Sequence, residues 1–178
     1  LAARKVLEEE RQKLQAKGIG CANQIEVGMM VEVPAAVEMA DQLAQYADFF
    51  SIGSNDLTQY MFAADRGNSQ VAHLYQTLHP AVLRAIKHTV DAAHAEGKWV
   101  GICGEMANNS LATPLLLGMG IDEFSMNSTS ILPIRSLIGE LHVRQLQPLV
   151  HQAMNARNAK EVRQMIIGRV PALKNFNF

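Results

Sequence analysis

Four short apolar runs, at residues 25–33, 49–52, 99–102 and 123–126, divide this chain. Each stops at a cluster of small, polar or charged residues. In the first run Ile25, Val27, Met29, Val31 and Val33 alternate with Glu26, Gly28, Met30 and Glu32 until Pro34 ends it. That period of two is the mark of a strand. The second stops at Gly53-Ser54-Asn55-Asp56, the third at Cys103-Gly104-Glu105, and the fourth at Asn127-Ser128. Between them the spacing predicts helices over 35–46, 80–94 and 111–117. Pro80 suits a first helical turn, and Gly97, Gly118 and Gly120 supply stops. Residues 57–78 read as mixed, with short helical turns.

Strands alternating with helices imply a parallel sheet with right-handed crossovers. No glycine-rich phosphate fingerprint follows the first strand. The chemically capable residues sit instead at four successive strand ends, which suits a (β/α) barrel with its working face at the strands' C-terminal ends. A full barrel needs eight strands and about 250 residues. The expectation is therefore an α/β fold, the second half of a (β/α)8 TIM barrel over residues 1–140. Helical patterns at 134–138, 146–156 and 159–167 follow, and terminal helices over 141–170 are expected to pack on the barrel. Residues 171–178 read as a loose tail. The opening 2–17 is an amphipathic helix with Val6, Leu7 and Leu14 as its apolar positions. It starts without Met and in mid-helix by pattern, so the chain is expected to be a piece of something longer. No internal repeat stands out.

The balance of charge narrows the partners. Among 178 residues the net charge is -1, so no global field draws the chain to nucleic acid or membrane. No apolar run approaches bilayer length, so membrane insertion is not expected. Cys21 and Cys103 form no metal-type pair and are expected as free thiols in a reducing cytosol.

The sequence Phe49 to Gly67 concentrates the chemistry. A strand ending in Gly-Ser-Asn-Asp presents backbone N–H groups, an amide and a carboxylate at one point. Glu32, at the previous strand end, is either turned inward or a solvated rim charge. With Asp56 it makes two carboxylates on adjacent strand ends, an arrangement Mg²⁺ accepts while keeping positions for substrate oxygens. The bland alternative has Asn55 and Asp56 merely capping the next helical turn. Arg66 either pairs with Asp65 or reaches outward to a phosphate or carboxylate. Cys103 is either a small buried hydrophobe or, between Gly101 and Gly104, a thiol held against a ligand as nucleophile or acid. The six histidines, His73, His79, His88, His94, His142 and His151, show no metal spacing and read as surface or satisfied groups.

Taken together, VGMMVEVPAAVEMAD, DFFSIGSNDLTQYMFAADRGN, HLYQTLHPAVLRAIKHTVDAAHAEGKWVGICGEMA and PLLLGMGIDEFSMNSTSI resemble the C-terminal part of the phosphoenolpyruvate–protein phosphotransferases, enzyme I of bacterial sugar uptake. The resemblance runs over residues 2–138 and more loosely beyond. Pyruvate phosphate dikinase and phosphoenolpyruvate synthase share the strand-end residues, but SIGSNDLTQY and HAEGKWVGICGE are closest to enzyme I. The resemblance implies a cytoplasmic, homodimeric barrel domain that binds phosphoenolpyruvate and Mg²⁺. The phosphoryl group would pass to a histidine on another domain and then to the carrier HPr. By position, Glu32 and Asp56 would hold Mg²⁺, and the Asn55 and Asp56 amides the substrate carboxylate. The Asn55 side chain and Arg66 would hold the phosphoryl group, and Cys103 would protonate the methylene carbon. Ser54 stands where many members have Thr. The family's Gly-Gly-x-x-Ser-His-type motif does not occur here, so no histidine of this chain inherits the phosphorylated role. Two other readings remain: a Mg²⁺-dependent lyase or aldolase working through a pyruvate enolate, and a non-catalytic dimerisation module.

Overall fold

The computed structural model describes residues 1–176. Helix α1 (Ala2–Ala16) leads to strand β1 (Met29–Val31), then short helices α2 (Pro34–Glu38) and α3 (Ala40–Ala44). Strand β2 (Phe49–Gly53) runs directly into α4 (Ser54–Phe62), and a long connection reaches α5 (Pro80–Ala95). Strand β3 (Trp99–Cys103), α6 (Thr113–Met119), β4 (Glu123–Phe124), α7 (Ser128–Gly139), α8 (Val143–Met154) and α9 (Ala159–Arg169) complete the order. All four strands are parallel and lie in chain order, β1-β2-β3-β4. The fold is thus mixed α/β with a four-stranded parallel sheet.

Several boundaries differ from expectation. The first strand is three residues long, not nine: it pairs only with residues 50–52 of β2, and ahead of it the Val27 N–H is taken by the Asp48 side chain and not by a strand carbonyl. Ile25 continues the alternation but is exposed. The helix expected over 35–46 is two helices that part at Met39. The stretch read as mixed from residue 57 is helical from Ser54. The segment read as a loose tail forms a 3-10 turn at Pro171–Asn175 and buries Leu173. The rest of that expected tail, residues 177 and 178, lies outside the described residues.

The pleat sends alternate residues to opposite faces. Val31, Phe50, Ile52, Val100 and Ile102 form one face, and each has no exposed surface. Leu83, Ile86 and Val90 of α5 and Leu115 and Leu116 of α6 belong to the same core. Gly118 lets α8 come close, since a Cβ there would lie 2.8 Å from Val150 and 2.9 Å from Leu146. The other face carries Met30, Phe49, Ser51, Trp99, Cys103 and Glu123, all exposed or half-buried. Phe49 and Trp99 stack there with ring centroids 4.1 Å apart.

Two carboxylates lock the beginnings of the strands. The Asp48 N–H donates to the Val27 carbonyl at 3.1 Å, and the Asp48 carboxylate accepts from the Val27 N–H at 2.7 Å. Asp122 repeats the device on Val100, at 2.9 and 2.8 Å. Each acid also meets a basic side chain at 2.8 Å, Arg4 for Asp48 and His94 for Asp122. The Val27 N–H, with Arg4 behind it, holds the Asp48 carboxyl below the usual carboxylate range.

Candidate functional site

Register brings the C-terminal strand ends together. Gly53 pairs with Cys103, and Val31, one residue before Glu32, pairs with Ile52. Because β2 passes into α4 without a loop, Ser54, Asn55 and Asp56 form the first turn of the helix. Their N–H groups have no partner inside the helix and carry the positive end of its dipole.

Three hydrogen bonds fix this corner. The buried Ser54 hydroxyl donates to the Cys103 carbonyl at 2.6 Å, tying the end of β2 to that of β3. The Thr58 hydroxyl donates back to the Ser54 carbonyl at 2.8 Å. The Glu105 N–H donates to Asn55 Oδ1 at 2.9 Å. These contacts overturn the capping alternative for Asn55 and Asp56. The helix cap is Gly53, without a side-chain cap, and Asn55 is bonded across to the β3 end.

Two glycines make room. A Cβ on Gly53 would lie 2.7 Å from the Glu32 carboxylate, 2.8 Å from Glu32 Cβ and 3.2 Å from Met30 Sδ. Its absence lets Glu32 lean over the end of β2. Met30 also crosses above β2, to within 3.9 Å of the Cys103 thiol. Gly104 has φ +86°, and a Cβ there would lie 2.6 Å from Ser54 Oγ and 2.8 Å from Asn55 Oδ1. Only glycine takes that conformation and that contact easily.

Arg66 does not pair with Asp65. The Asp65 carboxylate accepts from the Gly67 N–H at 2.8 Å. Arg66 turns back to Asp56 at 3.7 Å, both side chains remaining partly open to solvent. Cys103 is a free, half-buried thiol at the strand end and not part of the closed core. The structure therefore gathers Glu32, Asn55, Asp56, Arg66 and Cys103 on one edge of the sheet. Tyr75, which the sequence alone did not single out, joins them: its hydroxyl lies 3.4 Å from Asn55 Oδ1. Burial pushes its phenol up, and Arg66 works against that shift.

No closed metal cage exists among the described residues, since no three His, Cys, Asp or Glu converge. What the edge offers is an open set: Glu32 cradled over Gly53 and Asp56 at the helix start. Such a set fits an ion that completes its shell with substrate oxygens. A groove of about 860 Å³ opens at the opposite end of the sheet, lined among others by Arg4, Cys21, Asp48 and Trp99. There Arg4 and Asp48 already satisfy each other at 2.8 Å.

The strand ends of this parallel α/β sheet thus gather two carboxylates, an amide, an arginine and a helix N-terminus, groups whose chemistry suits a small anion. Residues 1–143 match the family model described as PEP-utilising enzyme, PEP-binding domain, and the chain belongs to that family. It is 52% identical over 160 residues to the phosphoenolpyruvate-protein phosphotransferase of Enterococcus faecalis, covering 90% of this chain and 28% of that relative. Against the Lactococcus lactis subsp. lactis protein of the same name, identity is 54% over 154 residues, 86% of this chain and 27% of the relative. The Latilactobacillus sakei protein of that name is 50% identical over 165 residues, 93% of this chain and 29% of its own length. The chain thus spans less than a third of these relatives. No helix among the described residues is long and apolar enough to cross a membrane.

Proposed function

We propose that this chain is the phosphoenolpyruvate- and Mg²⁺-binding part of a phosphotransferase that acts in the cytoplasm as a homodimer. The full protein would move the phosphoryl group to a histidine on another domain and then to HPr, releasing pyruvate. One observation carries the reading. Five groups of the required chemistry meet at one sheet edge, in a chain at least half identical to proteins named for that activity. That shared name favours the phosphotransferase over the lyase, the dikinase and the purely dimerising module.

Each residue then has a physical task. Glu32 and Asp56 would hold Mg²⁺, which when bound neutralises charge on phosphoryl and enolate oxygens. The Asn55 and Asp56 N–H groups, aligned by α4, would receive the substrate carboxylate. The Asn55 amide and the Arg66 guanidinium would grip the phosphoryl oxygens, releasing Arg66 from its long contact with Asp56. Phosphoryl transfer depends on such positioning and charge stabilisation more than on covalent help. As the phosphoryl group leaves the bridging oxygen for the histidine nitrogen, that oxygen keeps the bonding pair and an enolate remains. Cys103 would give its thiol proton to the methylene carbon, forming pyruvate, and its thiolate would regain a proton from water.

The same reading accounts for the bare sheet face. Parallel sheets are covered on both faces, yet here Met30, Phe49 and Trp99 lie open or half-open. A half of a (β/α)8 barrel would leave its inner face bare in this way, with residues 1–140 as the half-barrel and 141–170 as helices packed on it.

Calorimetric titration of the natural protein with phosphoenolpyruvate tests the function. Saturable binding that needs Mg²⁺ and disappears with a chelator is expected. At a hundred times its dissociation constant the ligand should stabilise the fold by about 2.7 kcal/mol, raising the melting temperature. Absence of binding with Mg²⁺ present would sink the reading.

A further inference from the structure

The connection between α4 and α5 brings Tyr75 back to the strand ends, and the contact it makes there fixes which half of the Asn55 amide a ligand meets. A backbone N–H can only donate, so the Asn55 atom facing the Glu105 N–H at 2.9 Å is the oxygen. The Tyr75 hydroxyl donates to the same oxygen at 3.4 Å. An amide oxygen has two acceptor positions; the Glu105 N–H fills one and the longer Tyr75 contact reaches the other. Gly104 is what allows this crowding, because any Cβ there would sit 2.8 Å from that oxygen. The open half of Asn55 is therefore its NH₂ group, a donor with no acceptor capacity.

We propose that Tyr75 is a positioning residue, which acts through Asn55 to keep the amide NH₂ turned toward an anionic ligand oxygen. The inference rests on the reading of this edge as a phosphoenolpyruvate site, and it adds a residue that touches no substrate atom. Two consequences follow. The site selects ligand groups that accept hydrogen bonds at this point and rejects those that donate. The connection carrying Arg66 and Tyr75 also becomes linked to the β3 end through a single side chain. A phenol is ordinarily protonated at neutral pH, and burial pushes this one further up, so Tyr75 stays a donor there.

The test is calorimetric titration of the natural protein with phosphoenolpyruvate and Mg²⁺, in a double-mutant cycle of Tyr75→Phe and Asn55→Ala. Loss of one neutral hydrogen bond should weaken binding about three- to tenfold in Tyr75→Phe, with the ligand-free melting temperature little changed. In the Asn55→Ala background the same substitution should cost nothing further. An equal loss in both backgrounds, or coupling to Arg66→Ala in place of Asn55→Ala, would overturn the proposal. Unchanged binding by Tyr75→Phe would overturn it while leaving the functional reading intact. Failure of the unsubstituted protein to bind would remove both. Should Tyr75→Phe not fold, Asn55→Asp carries the test. Its carboxylate accepts both hydrogen bonds but cannot donate, so it should bind no better than Asn55→Ala, and binding like the parent would end the idea.

Discussion

The two ends of the sheet use the same kind of residue in opposite ways. Where the strands begin, Asp48 and Asp122 each accept a backbone N–H and meet a basic side chain at 2.8 Å. Where the strands finish, Glu32 rests on a glycine without an ion pair among the described residues, and Asp56 has only Arg66 at 3.7 Å. Acids at the first end are bonded into the backbone and have little left to offer a ligand. Acids at the second end retain most of their acceptor capacity. Exposure alone does not draw that contrast, because the acids at both ends are partly exposed.

Substitutions at the two ends should therefore have opposite readouts. The largest effect is expected from Asp56→Ala. Loss of groups that merely orient a metal ligand costs about 10- to 100-fold, so losing the ligand itself should weaken Mg²⁺-dependent phosphoenolpyruvate binding about a hundredfold or more. The melting temperature should barely move, since exposed ion pairs contribute about 0–1 kcal/mol. A large melting shift with intact binding would place Asp56 with the structural acids. Next is Gly104→Ala. A side chain at φ +86°, pressed against Ser54 and Asn55, should cost about 2 kcal/mol in denaturant unfolding and weaken binding as well. The smallest effect, and the one that sharpens the contrast, is Asp48→Asn. Its carboxyl is depressed in the folded state, so its contribution is present above the ordinary carboxylate pKa, about 4, and fades as pH falls through the folded value. The variant should melt below the parent near neutral pH, with the gap closing in acid and binding unchanged. A gap independent of pH would mean that the clamp acts through shape and not charge.

Much of the sheet was legible because its strands are short, apolar and cleanly terminated. Residues 49–52 and 99–102 were read almost as they fold, since glycine or cysteine followed by polar residues marks their ends. The helix from Pro80 was legible from its proline and its stop. Strand β1 was read too long because alternation describes which way side chains point, not whether a neighbour is there to pair. The helical start at Ser54 was missed because Gly-Ser-Asn-Asp looks like a turn when the dipole and the β3 contacts are out of sight. Glu32, Asn55, Asp56 and Cys103 stand out in the sequence as polar or reactive residues at strand ends, and Arg66 as the arginine that follows the Gly-Ser-Asn-Asp turn closely. Tyr75 does not, since an aromatic in a mixed segment carries no such signal. The strand-start acids left a faint one, an aspartate just ahead of each of two apolar runs, Asp48 before Phe49 and Asp122 before Glu123-Phe124.

The direct passage from β2 to α4 has a further consequence for how a ligand is received. With no loop residue between strand and helix, the N–H groups of Asn55 and Asp56 are already aimed by a hydrogen-bonded turn anchored to β3. A carboxylate arriving there need not order any backbone, so little of its interaction is lost to conformational entropy. Arg66 comes from the long connection beyond α4, where its N–H reaches only the Gln59 side chain at 3.3 Å and its guanidinium lies 3.7 Å from Asp56. If this edge binds phosphoenolpyruvate as proposed, capture should be stepwise in entropy: little cost at the helix start, and more where Arg66 leaves Asp56 for the phosphoryl group.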